Sequence, residues 1–538
     1  MYIMADGKQY NEVRQDFMPV RIVASENVSE LEKLTVIKPA SVLFRRNDLS
    51  AVWEKPGAWV LLDFGRELAG GVRMVVRSAE GTDPKWRIMF GESVAEAMAG
   101  AGEHGSTNGH SPRDMVVPAS GMSDLTYGQT GFRFVRVELI SGERATVQNI
   151  FAASILPAFD REATIKTNDS LLNDIIDTAT HTLKLSCQHG VIWDGVKRDR
   201  LVWCGDLNPE VVSGSYMFGN PVHIPNSLDV LREYTEETEW VNLIPSYSAW
   251  YVINLCDYCR MTGNWAYFAE CRDYALAQFK HILKCINDDG TITIPDGRGL
   301  DYFLDWSTQD YEERWIGMAC AWRLAAMKFN EVEEHELANE VLRKLETVID
   351  RESTLKPIRA FQVLAGRQNA DDAAMLDKNG SEGFSTFMAY YILKAMAEAG
   401  CTDMLDLLKE YYGGMLSVGA TSFWEDFDIT WLADNPSGLA DIPTDDRKNI
   451  HRDYGKHCYT QLRHSLCHGW SSGVLGFVIE YILGVEIADG AKTVTVRPNL
   501  CGLTDIEAKL PIATGWLEIT VRDGKVDVKA PAETNVIR

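Results

Sequence analysis

The sequence lacks the features that mark membrane-spanning and nucleic-acid-binding proteins. It has no uninterrupted apolar run of about eighteen residues, the length that a transmembrane helix needs. Basic residues are scarce, since 53 Lys and Arg stand against 77 Asp and Glu for a net charge of −24. Nucleic acids and anionic membranes are bound by dense positive charge, so both are disfavoured as partners. A small neutral ligand is compatible with this composition.

Signals for export, metal binding and cofactor binding are also scarce. The N-terminus shows no basic flank followed by an apolar stretch. The 11 cysteines are odd in number and scattered, which is typical of reduced thiols and predicts a cytoplasmic protein. Cys256 and Cys259 form a CxxC pair without a second pair, so we expect core packing rather than a metal site. P-loop, HExxH, nucleophile-elbow and dinucleotide motifs are missing, and we expect no cofactor.

The pattern of apolar residues divides the chain into three parts. Residues 1–160 alternate short apolar runs with turn residues and predict an N-terminal β-sandwich. Residues 161–484 change to a helical period, with long loops at Pro295–Asp310, Thr421–Trp431 and Leu439–His457. Residues 485–538 return to alternation and predict a small C-terminal β-sandwich. Apolar spacing of three and four predicts helices near residues 170–187, 246–262, 265–286, 312–329, 331–350, 383–399, 402–412 and 465–483.

The segment from Asp194 to Asp206 concentrates charge between helical segments. It holds three carboxylates, three cations and a tryptophan in thirteen residues. Neighbouring carboxylates shift each other's pKa values apart, which creates acid and base roles. If the chain is helical after Asp199, then Asp199, Trp203 and Asp206 share one face. Arg198 and Arg200 would hold carboxylates ionised. A purely structural Asp/Arg network is the alternative.

A second acidic segment runs from Thr421 to Asp428. A carboxylate between Trp424 and Phe427 is partly desolvated, which suits a general base, but local chemistry does not rank Glu425 against Asp426. A solvated loop acid is the alternative.

Other acidic and aromatic residues suit a sugar ligand. Asp305 and Trp306 place an acid beside an aromatic ring. Such a pair suits a sugar, because the apolar face of the sugar ring stacks on an aromatic side chain and its hydroxyls bond carboxylates. His468 could bond a ligand hydroxyl, although a buried structural histidine is the commoner case on an apolar helix.

Taken in order and spacing, these motifs resemble the bacterial α-L-rhamnosidases of glycoside hydrolase family 78. The resemblance covers nearly the whole chain. It includes Asp63-Phe64-Gly65 and Gly131-Phe132-Arg133-Phe134, the Asp194–Asp206 segment, Tyr247 with Trp250, Asp305-Trp306, Trp424-Glu425 and Ser465–Gly473. It implies a multidomain α+β fold in which a central (α/α)6 barrel lies between the two β-sandwich domains.

The resemblance also implies a reaction and the residues that perform it. The reaction is inverting hydrolysis that releases terminal α-L-rhamnose from small rhamnosides or oligosaccharides, with Asp199 as general acid and Glu425 as general base. The remaining positions carried over bind or line the sugar pocket: Asp194, Arg198, Trp203, Asp206, Tyr247, Trp250, Asp305, Trp306, Trp424 and His468. No metal is implied. The oligomeric state stays open, with a homodimer as one option.

One position departs from the family pattern. Many relatives carry Glu at the acid position, whereas this chain carries Asp199, which is shorter by one methylene. Two alternatives follow from this departure. One is a hydrolase or lyase for another deoxy-sugar on the same barrel, and the other is a sugar-binding homologue with impaired catalysis.

Overall fold

The structure is a computed structural model of the 538-residue chain that describes residues 2–3, 9–42, 49–294 and 300–538. Part of the predicted loop Pro295–Asp310, residues 295–299, lies outside the described residues.

The N-terminal part is built from antiparallel strands around three long ones. The strands are β1 (Tyr2–Ile3), β2 (Gln9–Tyr10), β3 (Glu12–Phe17), β4 (Arg21–Glu26), β5 (Val28–Ser29), β6 (Ala51–Trp53), β7 (Ala58–Glu80), β8 (Lys85–Gly91), β9 (Asp114–Pro118), β10 (Ser123–Ser141) and β11 (Arg144–Pro157). A short helix, α1 (Val94–Met98), follows β8.

Nine of these strands form one sheet in the order β5-β6-β11-β7-β10-β8-β9, with β3 on β11 and β4 on β7. The long β7 changes partners along its length. Its first residues pair with β4, and its second half pairs with β11. The sheet encloses its own apolar core, which includes Trp53, Trp86 and Phe132.

The middle of the chain is helical. After β12 (Thr164–Thr167), the helices are α2 (Ser170–Ser186), α3 (Leu207–Phe218), α4 (His223–Glu233), α5 (Pro245–Thr262), α6 (Trp265–Leu283), α7 (Arg314–Val332), α8 (Glu336–Lys344), α9 (Lys356–Leu364), α10 (Asp372–Asp377), α11 (Met388–Glu398), α12 (Met404–Ser417) and α13 (Gly473–Phe477). Two short strands, β13 (Cys187–Gln188) and β14 (Val191–Ile192), interrupt this run after α2. A π-helical turn, Val478–Ile482, continues α13.

Alternate helices pack against one another in a closed series. Helix α3 contacts α5, α5 contacts α7, α7 contacts α9, α9 contacts α11, α11 contacts α13, and α13 contacts α3. These helices are buried on most of their surface; all twelve residues of α3 are buried. The loops at one end of this series carry the site described below.

The C-terminal strands are β15 (Val485–Ala488), β16 (Thr493–Val496), β17 (Asp505–Ile512), β18 (Gly515–Arg522), β19 (Lys525–Lys529) and β20 (Asn535–Ile537). They form a three-stranded sheet, β15-β16-β20, and a four-stranded sheet, β12-β17-β18-β19. Strand β12 therefore joins the C-terminal sheet, although it precedes the helices in the chain. These sheets share one apolar core with the helices.

The protein is thus of mixed α+β class, with several sheets and many helices. Within the described part of the chain, no helix has the length and apolar character required to cross a bilayer.

Candidate active site

The Asp194–Asp206 segment is a closed loop rather than a helix. The Asp194 amide donates to the Leu201 carbonyl at 2.9 Å, and the Leu201 amide donates to the Asp194 carboxylate at 2.9 Å. Asp199 and Arg200 have φ angles of 54° and 59°, in the left-handed region, and α3 begins only at Leu207. The predicted helical face of Asp199, Trp203 and Asp206 is therefore wrong, because a left-handed pair cannot continue a right-handed helix.

The second acidic segment presents Glu425 from a fixed backbone. The Glu425 amide donates to the Ser465 carbonyl at 3.0 Å, and the Glu425 carbonyl accepts from Thr386 Oγ1 at 2.6 Å and Trp470 Nε1 at 3.1 Å. The Ser465 amide donates back to Glu425 Oε2 at 3.2 Å. The neighbouring Asp426 lines the wider cavity described below but not the narrow cleft, whereas Glu425 lines both.

Arg198 joins the two acidic segments. Its guanidinium donates through Nη1 to Asp199 Oδ1 at 3.2 Å and through Nη2 to Glu425 Oε1. The carboxylates of Asp199 and Glu425 are thus separated by one guanidinium group. Burial raises the pKa of Glu425, and Arg198 opposes that rise.

Two further carboxylates converge on His468. Its Nε2 lies 3.8 Å from Asp194 Oδ2, 3.7 Å from Asp206 Oδ1 and 3.7 Å from Glu425 Oε1. Burial raises the pKa of Asp206 to about 8, and burial together with Asp206 and Asp199 raises the pKa of Asp194 well above its usual range. Burial likewise lowers the pKa of His468 well below 6.5. Burial therefore favours neutral forms of Asp194, Asp206 and His468.

Aromatic residues of α5 and of the Asp194–Asp206 segment, called the charged loop from here on, close one side of the site. Tyr247 Oη donates to Asp206 Oδ2 at 3.1 Å, and its ring meets Trp203 edge-on at a centroid distance of 6.3 Å. Gly205 permits this approach, since a Cβ there would lie 2.5 Å from the Tyr247 ring.

These side chains line a narrow cleft of about 80 Å³. A wider cavity of about 620 Å³ adjoins it and shares Trp306, Glu425 and Tyr459 with it. The residues predicted from sequence that line the narrow cleft are Asp194, Arg198, Asp199, Trp203, Asp206, Tyr247, Trp306, Glu425 and His468. Asp305 lines the wider cavity instead, where its carboxylate accepts from Ser307 and Ser385 at 2.5 and 2.6 Å.

Two residues predicted to line the pocket lie outside both cavities. Trp250 is fully buried and packs against Phe361 and Tyr391. Trp424 is fully buried and meets Phe427 edge-on. Both tryptophans form the core beneath the site and do not reach the cleft.

The sequence prediction also missed lining residues. Tyr459 and Trp470 line the narrow cleft. Trp470 packs on the His468 ring at 4.4 Å, and Tyr459 meets Trp306 edge-on at 5.9 Å. Trp470 stands within the quoted Ser465–Gly473 motif, so its proximity to His468 was a usable signal. Tyr459 follows the long loop Leu439–His457 and carried no such signal.

One buried group outside the cleft has the composition of a metal site. Among the described residues, Glu92, Glu96 and His451 place ligand atoms within 4.8 Å of one another. Both nitrogens of His451 are already engaged, however, with Ser93 Oγ at 2.7 Å and the His464 carbonyl at 2.9 Å. The Lys197 ammonium lies 3.1 Å from Glu92 and 3.0 Å from Glu96. Glu92 and Glu96 therefore serve as partners for a lysine, and His451 bonds protein oxygens.

One protein-family model matches part of the chain. Residues 160–278 match the family model described as the bacterial alpha-L-rhamnosidase 6 hairpin glycosidase domain. The family resemblance predicted from the sequence is confirmed. The matched residues include the charged loop, α5 and most of α6, so the rhamnosidase-type domain carries Asp199 and its neighbours. No curated protein sequence matches the chain.

Solved structures of rhamnosidases, one of them described as a family 78 enzyme, share the fold. The rhamnosidase of Bacillus sp. GL1 superposes with a TM-score of 0.72 at 19% identity, covering 94% of this chain and 55% of its own. The Klebsiella oxytoca rhamnosidase, solved with rhamnose bound, superposes with a TM-score of 0.69 at 19% identity and covers 87% of this chain and 96% of its own. The Streptomyces avermitilis α-L-rhamnosidase, complexed with L-rhamnose, superposes with a TM-score of 0.69 at 17% identity and covers 98% of this chain and 50% of its own. The chain thus spans about half the length of the Bacillus and Streptomyces enzymes and nearly all of the Klebsiella enzyme.

Proposed function

We propose that the protein is an inverting α-L-rhamnosidase. The single observation that carries the proposal is the position of Asp199 and Glu425 at the two ends of one guanidinium, in a cleft that also holds Asp194, Asp206 and His468. Two carboxyl groups that are held apart suit direct displacement by water better than two in contact, since that reaction needs roughly 6.5–9.5 Å between the groups. The rhamnosidase family match supports the choice of sugar.

In the proposed reaction a water molecule attacks the anomeric carbon while the glycosidic bond breaks. Glu425 removes a proton from the water, and Asp199 gives its proton to the departing glycosidic oxygen, which keeps the bonding electron pair. Each proton transfer contributes about 10²–10⁴-fold to the rate. Glu425 must be ionised to act as the base, and Arg198 favours that form.

The buried acids would bind the sugar. Asp194 and Asp206 offer both donors and acceptors to vicinal hydroxyl groups when one or both carry a proton. His468 lies between them and adds a neutral imidazole nitrogen. Trp203, Trp306 and Tyr247 would pack on the apolar edges and the methyl group of the sugar.

We further propose that the helices form an (α/α)6 barrel. The closed series of contacts from α3 through α5, α7, α9, α11 and α13 supports six inner helices. Helices α2, α4 and α6, which alternate along the chain with the inner helices α3 and α5, would then belong to the outer layer. The N-terminal and C-terminal sheets would flank this barrel as β-sandwich domains. The substrate would be a small neutral rhamnoside.

A proton NMR time course on an aryl α-L-rhamnoside tests the proposal. The inverting reaction gives β-rhamnose as the first product, before mutarotation. Immediate release of α-rhamnose would mean retention and would remove the role of Glu425 as base. An aryl α-L-mannoside is the matched substrate, because it differs from the rhamnoside only by a hydroxyl group on the sixth carbon, and a rhamnose pocket should reject it.

A further inference from the structure

Two carboxylates of the N-terminal part lie behind the site and outside the cleft. Glu92 follows β8 and Glu96 lies in α1; their side chains are 1% and 0% exposed. Both pair with the buried ammonium of Lys197, which is the residue before Arg198. Arg113 Nε also lies 3.4 Å from Glu96. Burying charge is costly unless it is paired, so the loss of one partner should destabilise this cluster.

Glu92 also contacts the segment that holds Glu425. Glu92 Oε2 accepts from the Leu466 amide at 2.7 Å, and Glu92 Oε1 accepts from Ser465 Oγ at 3.3 Å. The Ser465 amide is the donor that reaches Glu425 Oε2. Glu92 thus fixes, from behind, the backbone that orients the proposed base.

Lys197 ties the acid-bearing loop to the same backbone. Its Nζ donates to the carbonyls of Leu462 at 3.0 Å and His464 at 2.5 Å. The Lys197 carbonyl accepts from Ser111 Oγ at 3.2 Å, and the adjacent Val196 carbonyl accepts from the Gly131 amide at 2.9 Å. The loop is therefore anchored on one side to the N-terminal sheet. On the other side it is anchored to the backbone that leads to Ser465, the residue that orients Glu425.

We infer that Glu92 and Lys197 are positioning residues, by which the N-terminal domain sets the distance between Asp199 and Glu425. This inference rests on the proposed function. Neither residue lines the cleft, so neither touches the substrate. Each acts through a neighbour: Lys197 through Arg198 and Asp199, and Glu92 through Ser465. Displacing a reacting group by about 1 Å can cost roughly a hundredfold in rate, so a small shift in this support is enough.

The test is Glu92→Gln in the full chain, which keeps the side-chain volume and removes the charge that faces Lys197. We expect kcat on an aryl α-L-rhamnoside to fall about 10- to 100-fold while KM changes less than about twofold, because the sugar-binding acids are untouched. Backbone amide exchange in peptides covering residues 461–468 should rise. Lys197→Met should give the same pattern, and if it does not fold, Glu92→Gln alone decides.

Asp63→Asn is the matched control. Asp63 is 1% exposed, pairs with Arg133 at 2.8 Å, and reaches the helical part through the Arg133 bond to the Gly419 carbonyl at 3.1 Å. It does not contact Ser465, Leu466 or Lys197. Its loss should destabilise the same domain interface without changing kcat or the exchange of residues 461–468.

The outcomes separate the two proposals. An active wild type with unchanged kcat and unchanged exchange in Glu92→Gln would overturn the positioning role and leave the proposed function intact. Equal losses of kcat in Glu92→Gln and Asp63→Asn would also overturn the positioning role, because such losses would reflect the stability of the domain interface alone. An inactive wild type would overturn the proposed function, and the exchange data would then decide the positioning role.

Discussion

Arg198 donates a hydrogen bond to Glu425 although 227 positions separate them in the sequence. Both side chains are 4% exposed, so the pair lies almost wholly out of solvent. Removing one partner of such a pair leaves an uncompensated buried charge, typically at a cost of about 3–5 kcal/mol. The contact therefore holds the charged loop to the Glu425 segment and also favours the ionised form of Glu425 against the effect of burial.

Replacing Arg198 with methionine should shift the pH dependence of catalysis. Arg198 lowers the pKa of Glu425 against the effect of burial, so its loss raises that pKa further. Because the base must be ionised, the acidic limb of the kcat/KM profile should move to higher pH. Arg200→Met is the control, since Arg200 bonds the Gln129 carbonyl and packs on Trp193. An unmoved acidic limb in Arg198→Met would exclude Glu425 as the titrating base.

Asp206→Asn should change how stability depends on pH. The pKa of Asp206 is raised to about 8 in the folded protein, from 3.8, so this group favours folding while it is protonated. That contribution is complete below pH 4 and is lost as pH rises to about 8. Between pH 5 and pH 8, the Tm of Asp206→Asn should therefore rise relative to wild type.

Asp63→Asn supplies the control for this pH series. Arg133 and Arg21 lower the pKa of Asp63 below 3.8, so its carboxylate is ionised in both folded and unfolded chains across this range. The Tm difference from wild type should therefore stay constant between pH 5 and pH 8. A constant difference for Asp206→Asn as well would show that Asp206 is not protonated in the folded protein.

The sequence predicted several elements of the fold closely. Helices near 170–187 and 246–262 are confirmed as α2 (Ser170–Ser186) and α5 (Pro245–Thr262). Helices α3, α4, α9 and α10 were not predicted. Every residue of α3 is buried, so that helix lacks the one-sided apolar stripe that reveals a helix. Helix α9 is only nine residues long, which gives the helical period a short window.

The sequence predicted most residues of the site, but it did not predict their geometry. Acidic and aromatic motifs marked both segments that meet at Arg198. Local spacing could not show that Asp199 and Arg200 are left-handed, because tertiary contacts of the loop impose that backbone. Aspartate is among the residues that adopt this conformation most readily, which gives a backbone reason for Asp at position 199. Trp250 and Trp424 were placed at the pocket because sequence order does not reveal side-chain direction.

Paired tryptophan substitutions should separate cleft residues from core residues. Trp250→Ala removes a fully buried ring and should lower the free energy of unfolding by about 3–5 kcal/mol. Trp203→Ala removes a partly exposed cleft residue and should weaken rhamnose binding several-fold with little loss of Tm. Calorimetric titration with rhamnose and thermal unfolding measure both effects. Equal stability losses would contradict the assignment of Trp203 to the cleft.

The roles of Asp199 and Glu425 are tested most directly by leaving-group dependence in Asp199→Asn. A 2,4-dinitrophenolate departs without protonation, whereas a 4-methoxyphenolate needs an acid. We predict that Asp199→Asn loses about 10²–10⁴-fold in kcat/KM on the 4-methoxyphenyl rhamnoside and little on the dinitrophenyl rhamnoside. Glu425→Gln should lose activity on both, because the attacking water needs a base in either case. Equal losses for Asp199→Asn on the two substrates would contradict its role as the general acid.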